Sequence, residues 1–393
     1  MRIGPLLLAA CLPGFAADLA ITGAKVFPSP DAAPLSNATV LIHDGKIAAV
    51  GSNVTVPSGA TNITCGGCFV FAGFWNSHVH FTEPKWAAAA TAPAPVLTRE
   101  LQEMLTHSGF TTVVDLGSDL RSTSALRRRI GSGEVLGPRI FTAGSGLYPP
   151  NGVPYYLSDL PPEIRAILPQ PSTPAEAAAI EERNIAAGAD VLKLFTGSYV
   201  TRGHVKPMPL DVARAAVSVA HSHRELAFAH PSNLAGVRIA MESGVDVLAH
   251  APDTVDGVDD ALLADLVAHH MSMIPTLKLF SEASTIPRIR AIVLKFHQSG
   301  GPLIFGTDTG FVTDYDLTEE YRQLALAGLS FKDVLAMLTT APGKCFGLKD
   351  EGIVAPGQRA DLTILSADPS SQGLTAFTRV RYVVRSGRLT FRR

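Results

Sequence analysis

Eight short β-like runs separated by amphipathic or alanine-rich stretches predict an α/β fold over residues 72–349. In order the runs are GFWNSHVHF, TTVVDLG, RIFTAGS, DVLKLF, LAFAHP, DVLAH, SMIPTL and LIFGTDT. Strands that alternate with helices make a parallel sheet, and eight is the count that closes a (β/α)8 TIM barrel. No GxGxxG or P-loop follows any run, so an open doubly wound sheet is the runner-up. A third observation is that the polar residues of these runs gather at their C-terminal ends, the face of such a barrel where chemistry is done.

The chain opens on MRIGPLLLAACLPGFAAD. Arg2 ahead of an apolar stretch and small residues at Gly14 to Ala17 read as a signal peptide over residues 1–17, so the protein is expected to be exported, periplasmic or secreted. Leu8-Ala9-Ala10-Cys11 also matches a lipoprotein box, which would leave Cys11 as a lipid anchor. No later stretch reaches about 18 uninterrupted apolar residues, and no membrane span is expected.

Next come DLAITGAKVF, NATVLIHDGKIAAVG and TNITC, short alternating strands with Asp44-Gly45 as a hairpin turn. ADLTILSAD and VRYVVRSGRLTF repeat that character near the C-terminus, turning at Ser386-Gly387. Neither end has strands enough for its own core, so residues 18–71 and 350–393 are expected to pair into one small β-sandwich. Cys65 and Cys68 form a CGGC without the second pair a zinc ribbon needs. A local disulfide is open to an exported chain, but two semi-buried free cysteines in a tight turn are the favoured reading. Inside the barrel region one helix start is marked by Thr173 as N-cap, Pro174 at N1 and Glu176 at N3, a capping box, with Gly188 after the helix.

The 393 residues are 46% hydrophobic and 17% charged, which is globular, and the net charge is −2. That balance gives no reason to expect nucleic acid or an anionic membrane as partner. A small-molecule substrate and a homo-oligomeric assembly are expected.

His78 and His80 stand in FWNSHVHF, and His221 and His223 repeat the HxH spacing in LDVARAAVSVAHSHRE. On a strand, residues i and i+2 share a face; on a helix they diverge by about 200°. The second pair lies in an alanine-rich helical run and is set aside as helix surface. The first pair closes a strand. Lys193 lies in the fourth run, His230 ends the fifth, His250 the sixth, and Asp308 sits in the eighth. Each alone is more often a hydrogen-bonded strand end, but a lysine and several histidines gathered in apolar surroundings need compensation. Imidazoles, a carboxylate and a derivatised lysine can hold divalent metal with positions left for water.

Taken together, GFWNSHVHF, DVLKLF, FAHPSN, GVDVLAH, FGTDTG and APGKCFGLKDEGIVAPGQRADLTIL resemble the metal-dependent amidohydrolase superfamily, nearest its imidazolonepropionase-like and Xaa-Pro dipeptidase-like branch. The resemblance implies two divalent metal ions, commonly Zn2+. It gives His78 and His80 to the deeper ion, His230 and His250 to the outer one, and Lys193, carboxylated by CO2, to the bridge between them. Asp308 would bind metal and the nucleophilic water, serving as the catalytic base. Two positions depart from the pattern: Asn76 stands where aspartate is usual before HxH, and Ala72 where proline is common. Neither is among the ligands.

The activity implied is hydrolysis of an amide-type C–N bond, in a dipeptide or an N-acyl amino acid. Carboxylate recognition would fall to Tyr199 and Arg202 after the fourth run, with Tyr155 and Tyr156 after the third as further candidates. Two other readings compete: a single-metal deaminase or cyclic-amide hydrolase, and a non-catalytic metal-binding scaffold. A deaminase usually carries a glutamate near the strand-five histidine, whereas His230 here is followed by Pro231-Ser232-Asn233.

Overall fold

The computed structural model describes residues 19–393; the expected signal peptide over 1–17 and Cys11 lie outside them. Seven of the eight runs form strands, in two parallel sheets. The first holds Phe74–Val79, Phe110–Asp115 and Arg139–Thr142. The second holds Val191–Phe195, Leu226–His230, Val247–Ala249 and Ser272–Ile274. Helices such as Leu120–Gly131, Pro174–Ala186, Leu210–Ser222 and Leu234–Ser243 separate them, so the molecule is α/β.

A closed eight-stranded ladder is not present among the described residues. The sheets are joined by single parallel bridges, Leu147 to Leu194 on one side and Met273 to Leu303 and Val79 to Thr309 on the other. The eighth run is the irregular one. It still bonds to its neighbours: the Ser77 amide donates to the Phe305 carbonyl (2.7 Å), Asp308 to His78 (2.9 Å) and His80 to Thr309 (2.8 Å). Two features interrupt it. A side chain at Gly306 would come within 2.9 Å of the His78 Cβ, and Asp308 takes φ +58°, in the left-handed region rather than the extended one.

The strands of both chain ends share one eight-stranded sheet, with Leu19–Val26 at its branch point. That strand pairs Leu35–His43 on one side, and Thr61–Thr64 and then Phe69–Ala72 on the other. Through Phe69–Ala72 the sheet continues into Leu362–Leu365, Val380–Arg385 and Arg388–Arg392. It encloses a core of its own around Ile21, Val40, Val70 and Ile364. The two expected turns have both residues at positive φ, +47° and +72° at Asp44-Gly45, +47° and +75° at Ser386-Gly387, as tight hairpins demand.

Two local expectations are corrected. Cys65 and Cys68 are fully buried and disulfide-bonded, not free. The intervening glycines allow it: Gly67 adopts φ +81°, and the Cys68 amide donates to the Cys65 carbonyl, closing a turn that brings the sulfurs together. The helix Pro174–Ala186 has only half a capping box. Thr173 Oγ1 accepts from the Glu176 amide (3.2 Å), but the Glu176 carboxylate reaches past Thr173 to the Ser172 amide (2.7 Å). A complete box occurs instead at Ser330 and Asp333.

Candidate metal centre

The first strand delivers its histidines as a strand should. His78 and His80 converge, their Nε2 atoms 3.2 Å apart. Phe74–Val79 is clamped between Phe110–Asp115 and the eighth run, and the His80 amide donates to the Thr309 carbonyl, so the backbone that carries both rings is held on two sides. His80 is fixed further by its far side: Nδ1 lies 2.9 Å from the Gly117 carbonyl, which can only accept. Nδ1 therefore carries a hydrogen and donates it, leaving Nε2 to face inward.

Asp308 closes the arrangement. Its Oδ1 lies 2.9 Å from His80 Nε2 and 3.3 Å from His78 Nε2, and its Oδ2 lies 3.9 Å from His250 Nε2. A triangle of donor atoms with edges of 2.9, 3.2 and 3.3 Å suits a single cation bound at ~2 Å from each. His78, His250 and Asp308 also offer ligand atoms that all lie within 4.8 Å of one another. Two atoms press the same point. The Nδ1 atoms of His78 and His250 are buried with no hydrogen-bond partner among the described residues, so each ring engages through Nε2 alone.

The other two residues complete the ring of side chains. The His78 and His250 rings lie 4.4 Å apart and those of His250 and His230 4.9 Å. His250 achieves this at φ +118°, a conformation a histidine rarely adopts, which turns the chain at the strand end. Lys193 shares the inward face of its strand with Val191, two residues earlier, and is buried at 1% exposure. Its ammonium group makes no hydrogen bond among the described residues and stands 5.3 Å from the Phe195 ring.

Electrostatics follow from that crowding. Burial, then the charge of Lys193, then that of His80, hold His230 down to about 3. Burial and neighbouring cationic groups likewise push His78 and His250 well below the usual imidazole range. All three are neutral near pH 7 and present lone pairs. Burial lowers Lys193 to about 7, the Asp308 charge opposing it only in part, so the neutral amine is far more accessible near neutral pH than in a free lysine. His80 goes the other way: burial lowers it, but the bond to Asp308 and the charges of Asp308 and Asp115 together raise it.

Several supporting residues escaped the sequence reading. Asp115 is fully buried and accepts from Ser118 Oγ (2.6 Å), Thr142 Oγ1 (2.7 Å) and the Gly117 amide (3.3 Å), fixing the turn whose carbonyl holds His80. The signal was there: one acid in the otherwise apolar and β-branched TTVVDLG. Asn76 donates from Nδ2 to Thr307 Oγ1 (2.7 Å) and accepts from the His78 amide (3.2 Å), tying the first strand to the eighth run. Tyr148 stacks on Phe195, which stacks on His230 at 5.1 Å.

The four residues expected to meet substrate are placed unevenly. Tyr156 lies in the turn Tyr155–Leu157, within electrostatic reach of Asp308 and Asp253. Tyr155 packs edge-on against it at 5.7 Å. Tyr199 lies on the hairpin strand Gly197–Thr201 and shares a hydrogen bond with Thr254 Oγ1 (2.8 Å), four residues beyond His250. Arg202 is exposed at the tip of that hairpin, and no hydrogen bond or ion pair among the described residues ties it to the histidines. His221 and His223 stand outside, on and just after Leu210–Ser222, each paired with its own carboxylate.

Known proteins resemble this chain along most of its length. The amidohydrolase family matches residues 69–390. The chain is 25% identical over 365 residues to imidazolonepropionase of Salinispora arenicola, covering 84% of this chain and 86% of that one. A solved Xaa-Pro dipeptidase with methionine bound in its active site superposes with a TM-score of 0.82 at 20% identity, over 96% of this chain and 100% of that one. A Bifidobacterium longum protein described as a prolidase gives 0.78 at 24% identity, over 96% and 95%.

Proposed function

The chain belongs to the amidohydrolase family, and on that premise we propose that it cleaves an amide-type C–N bond in a dipeptide or an N-acyl amino acid. The observation that carries this reading is the convergence of His78, His80, His250 and Asp308 at the strand ends, with Lys193 and His230 beside them. The family is metal-dependent, and the donor set fits. In this reading His78 and His80 hold the deeper of two divalent ions and His230 and His250 the outer one. Lys193, as its CO2-derived carbamate, and Asp308 would complete the donor set. Zinc suits such imidazole and carboxylate donors.

Bound metal supplies Lewis acidity, which makes water nucleophilic near neutral pH and polarises a carbonyl oxygen. The residues supply the rest. Asp308 takes the water's proton and returns it to the departing nitrogen, a general base that becomes a general acid. The Gly117 carbonyl keeps His80 in the tautomer that faces inward, and Asp115 keeps Gly117 in place. Lys193, brought to about 7 by burial, offers the neutral amine that CO2 requires.

The same premise supports a (β/α)8 barrel with an interrupted ladder. Trp75, Val114, Ala143, Val191, Phe228, Val247, Ile274 and Ile304, one from each run, share a single buried cluster. Residues 72–349 would then be the catalytic domain, with 18–71 and 350–393 as the second, whose core is separate.

The likeness to imidazolonepropionase favours a second reading, hydrolysis of a cyclic amide. A deaminase has less support, since Asn233, nearest to the expected acid, uses its side chain to cap Leu234–Ser243. One experiment separates these: a panel of dipeptides, N-acyl amino acids, cyclic amides and nucleobases, offered with and without a chelator. Turnover of linear amides, abolished by chelation and restored by Zn2+, is expected. Ring opening alone or ammonia release would move the assignment to the corresponding alternative. A metal-loaded protein inert to the whole panel would be a binding scaffold.

A further inference from the structure

Beside the candidate metal centre, three aromatic side chains form a row, two of them exposed and one partly buried. Phe311 follows Asp308 by three residues, and its amide donates to the Asp308 carbonyl at 3.1 Å, as does that of Val312 at 2.9 Å. The turn is held on its other side too. Gly310 takes φ +104°, and a side chain there would collide with the His80 carbonyl oxygen. The position of Phe311 is therefore set by the same backbone that sets Asp308, yet its side chain is 47% exposed. One exposed phenyl ring is ordinary, but a ring that continues into further aromatic side chains beside such a centre makes a patch able to take a ligand.

The ring faces Tyr156, edge to face, with centroids 5.4 Å apart and planes at 65°. Tyr155 continues the row at 5.7 Å and 73° and is itself 39% exposed. Aromatic pairs at these separations leave faces and edges on which a further ring can pack in the same manner. Tyr156 also has a polar end. Its hydroxyl makes no hydrogen bond among the described residues, and the group lies within reach of the Asp308 charge. The row thus begins on the turn that carries Asp308 and ends at Tyr155, with its two ends open to solvent and an unengaged hydroxyl at its middle member.

We infer that Phe311, Tyr156 and Tyr155 form a side-chain subsite that selects amides bearing an aromatic group next to the scissile bond. The inference rests on the amide-hydrolase reading and narrows its substrate class. The rings come from two loops, after the third and eighth runs, and both loops open on the end of the barrel where His80 and Asp308 lie. An occupant must have its reacting carbonyl at Asp308 and a flat apolar group one or two bonds away. Covering such a ring is worth roughly 10- to 100-fold in affinity or in kcat/KM.

Two readouts test it on the metal-loaded full chain. The first is calorimetric binding of 3-phenylpropionate against propionate, which needs no turnover. The second is kcat/KM for N-acetylphenylalanine against N-acetylalanine. Wild type should favour the phenyl member of each pair by roughly 10-fold or more, and F311A and Y156A should bring both ratios toward one. Y155A, at the end of the row away from the Asp308 turn, should give an intermediate ratio, and metal content of each variant confirms that the fold is kept. A flat ratio in wild type, or a preference that survives both F311A and Y156A, overturns the subsite. The binding ratio decides this point by itself; failure of every amide to turn over counts against the hydrolase reading instead.

Discussion

Two pairs of histidines in this chain share the spacing HxH and nothing else. His78 and His80 end a strand, and their Nε2 atoms meet 3.2 Å apart beside a buried carboxylate. His221 and His223 end a helix, are exposed, and bond to different partners, Asp246 at 3.0 Å and Glu182 at 3.2 Å. The spacing is the same; the backbone decides whether it is a chelate. On a strand two residues return to one face, whereas on a helix they part by about 200°. Burial completes the contrast. The outer pair satisfies its polar atoms with surface carboxylates, while the inner pair leaves His78 Nδ1 without a partner.

The contrast can be broken most sharply at Asp308, which only the inner pair possesses. Asp308→Asn keeps the size and one coordinating oxygen but cannot accept a proton near pH 7. It should retain much of its metal while kcat falls roughly 10²- to 10⁴-fold, the range for a positioned general base. Steady-state kinetics on the metal-loaded variant check this, and full turnover would remove Asp308 from the chemistry.

A smaller effect is expected one step further out. Asp115 touches no substrate and acts on His80 through Gly117. Asp115→Asn should weaken metal affinity by roughly 10- to 100-fold, the usual consequence of loosening the support of a ligand. Competition with a metal-sensitive dye measures it. If affinity is unchanged, the histidine holds its orientation without that network.

The sequence made the inner site legible because its signals are local. Two histidines in an aromatic strand, a lysine in VLKLF and an aspartate in FGTDTG announce themselves by being polar among apolar neighbours. What stayed hidden depends on contacts distant in the chain. The eighth run looks like its companions, and only its approach to His78 and Ile274 shows why Gly306 and the φ of Asp308 interrupt its ladder. Cysteine burial is a weaker guide to the disulfide than the turn that Gly66 and Gly67 permit, which brings Cys65 and Cys68 together. Glu176 was assigned to the Thr173 amide, since spacing cannot distinguish that donor from the neighbouring Ser172. Asn76, a departure from the family pattern, acquires a role only once Thr307 is seen beside it.

The most direct test of the whole account is elemental analysis of three proteins prepared together: wild type, His78→Ala and His221→Ala. The account predicts about two divalent ions per chain in the wild type. It predicts the same in His221→Ala, and a loss of at least one ion, with activity, in His78→Ala. Equal metal in all three would contradict it, because the buried pair would then be no more a ligand than the pair on the helix.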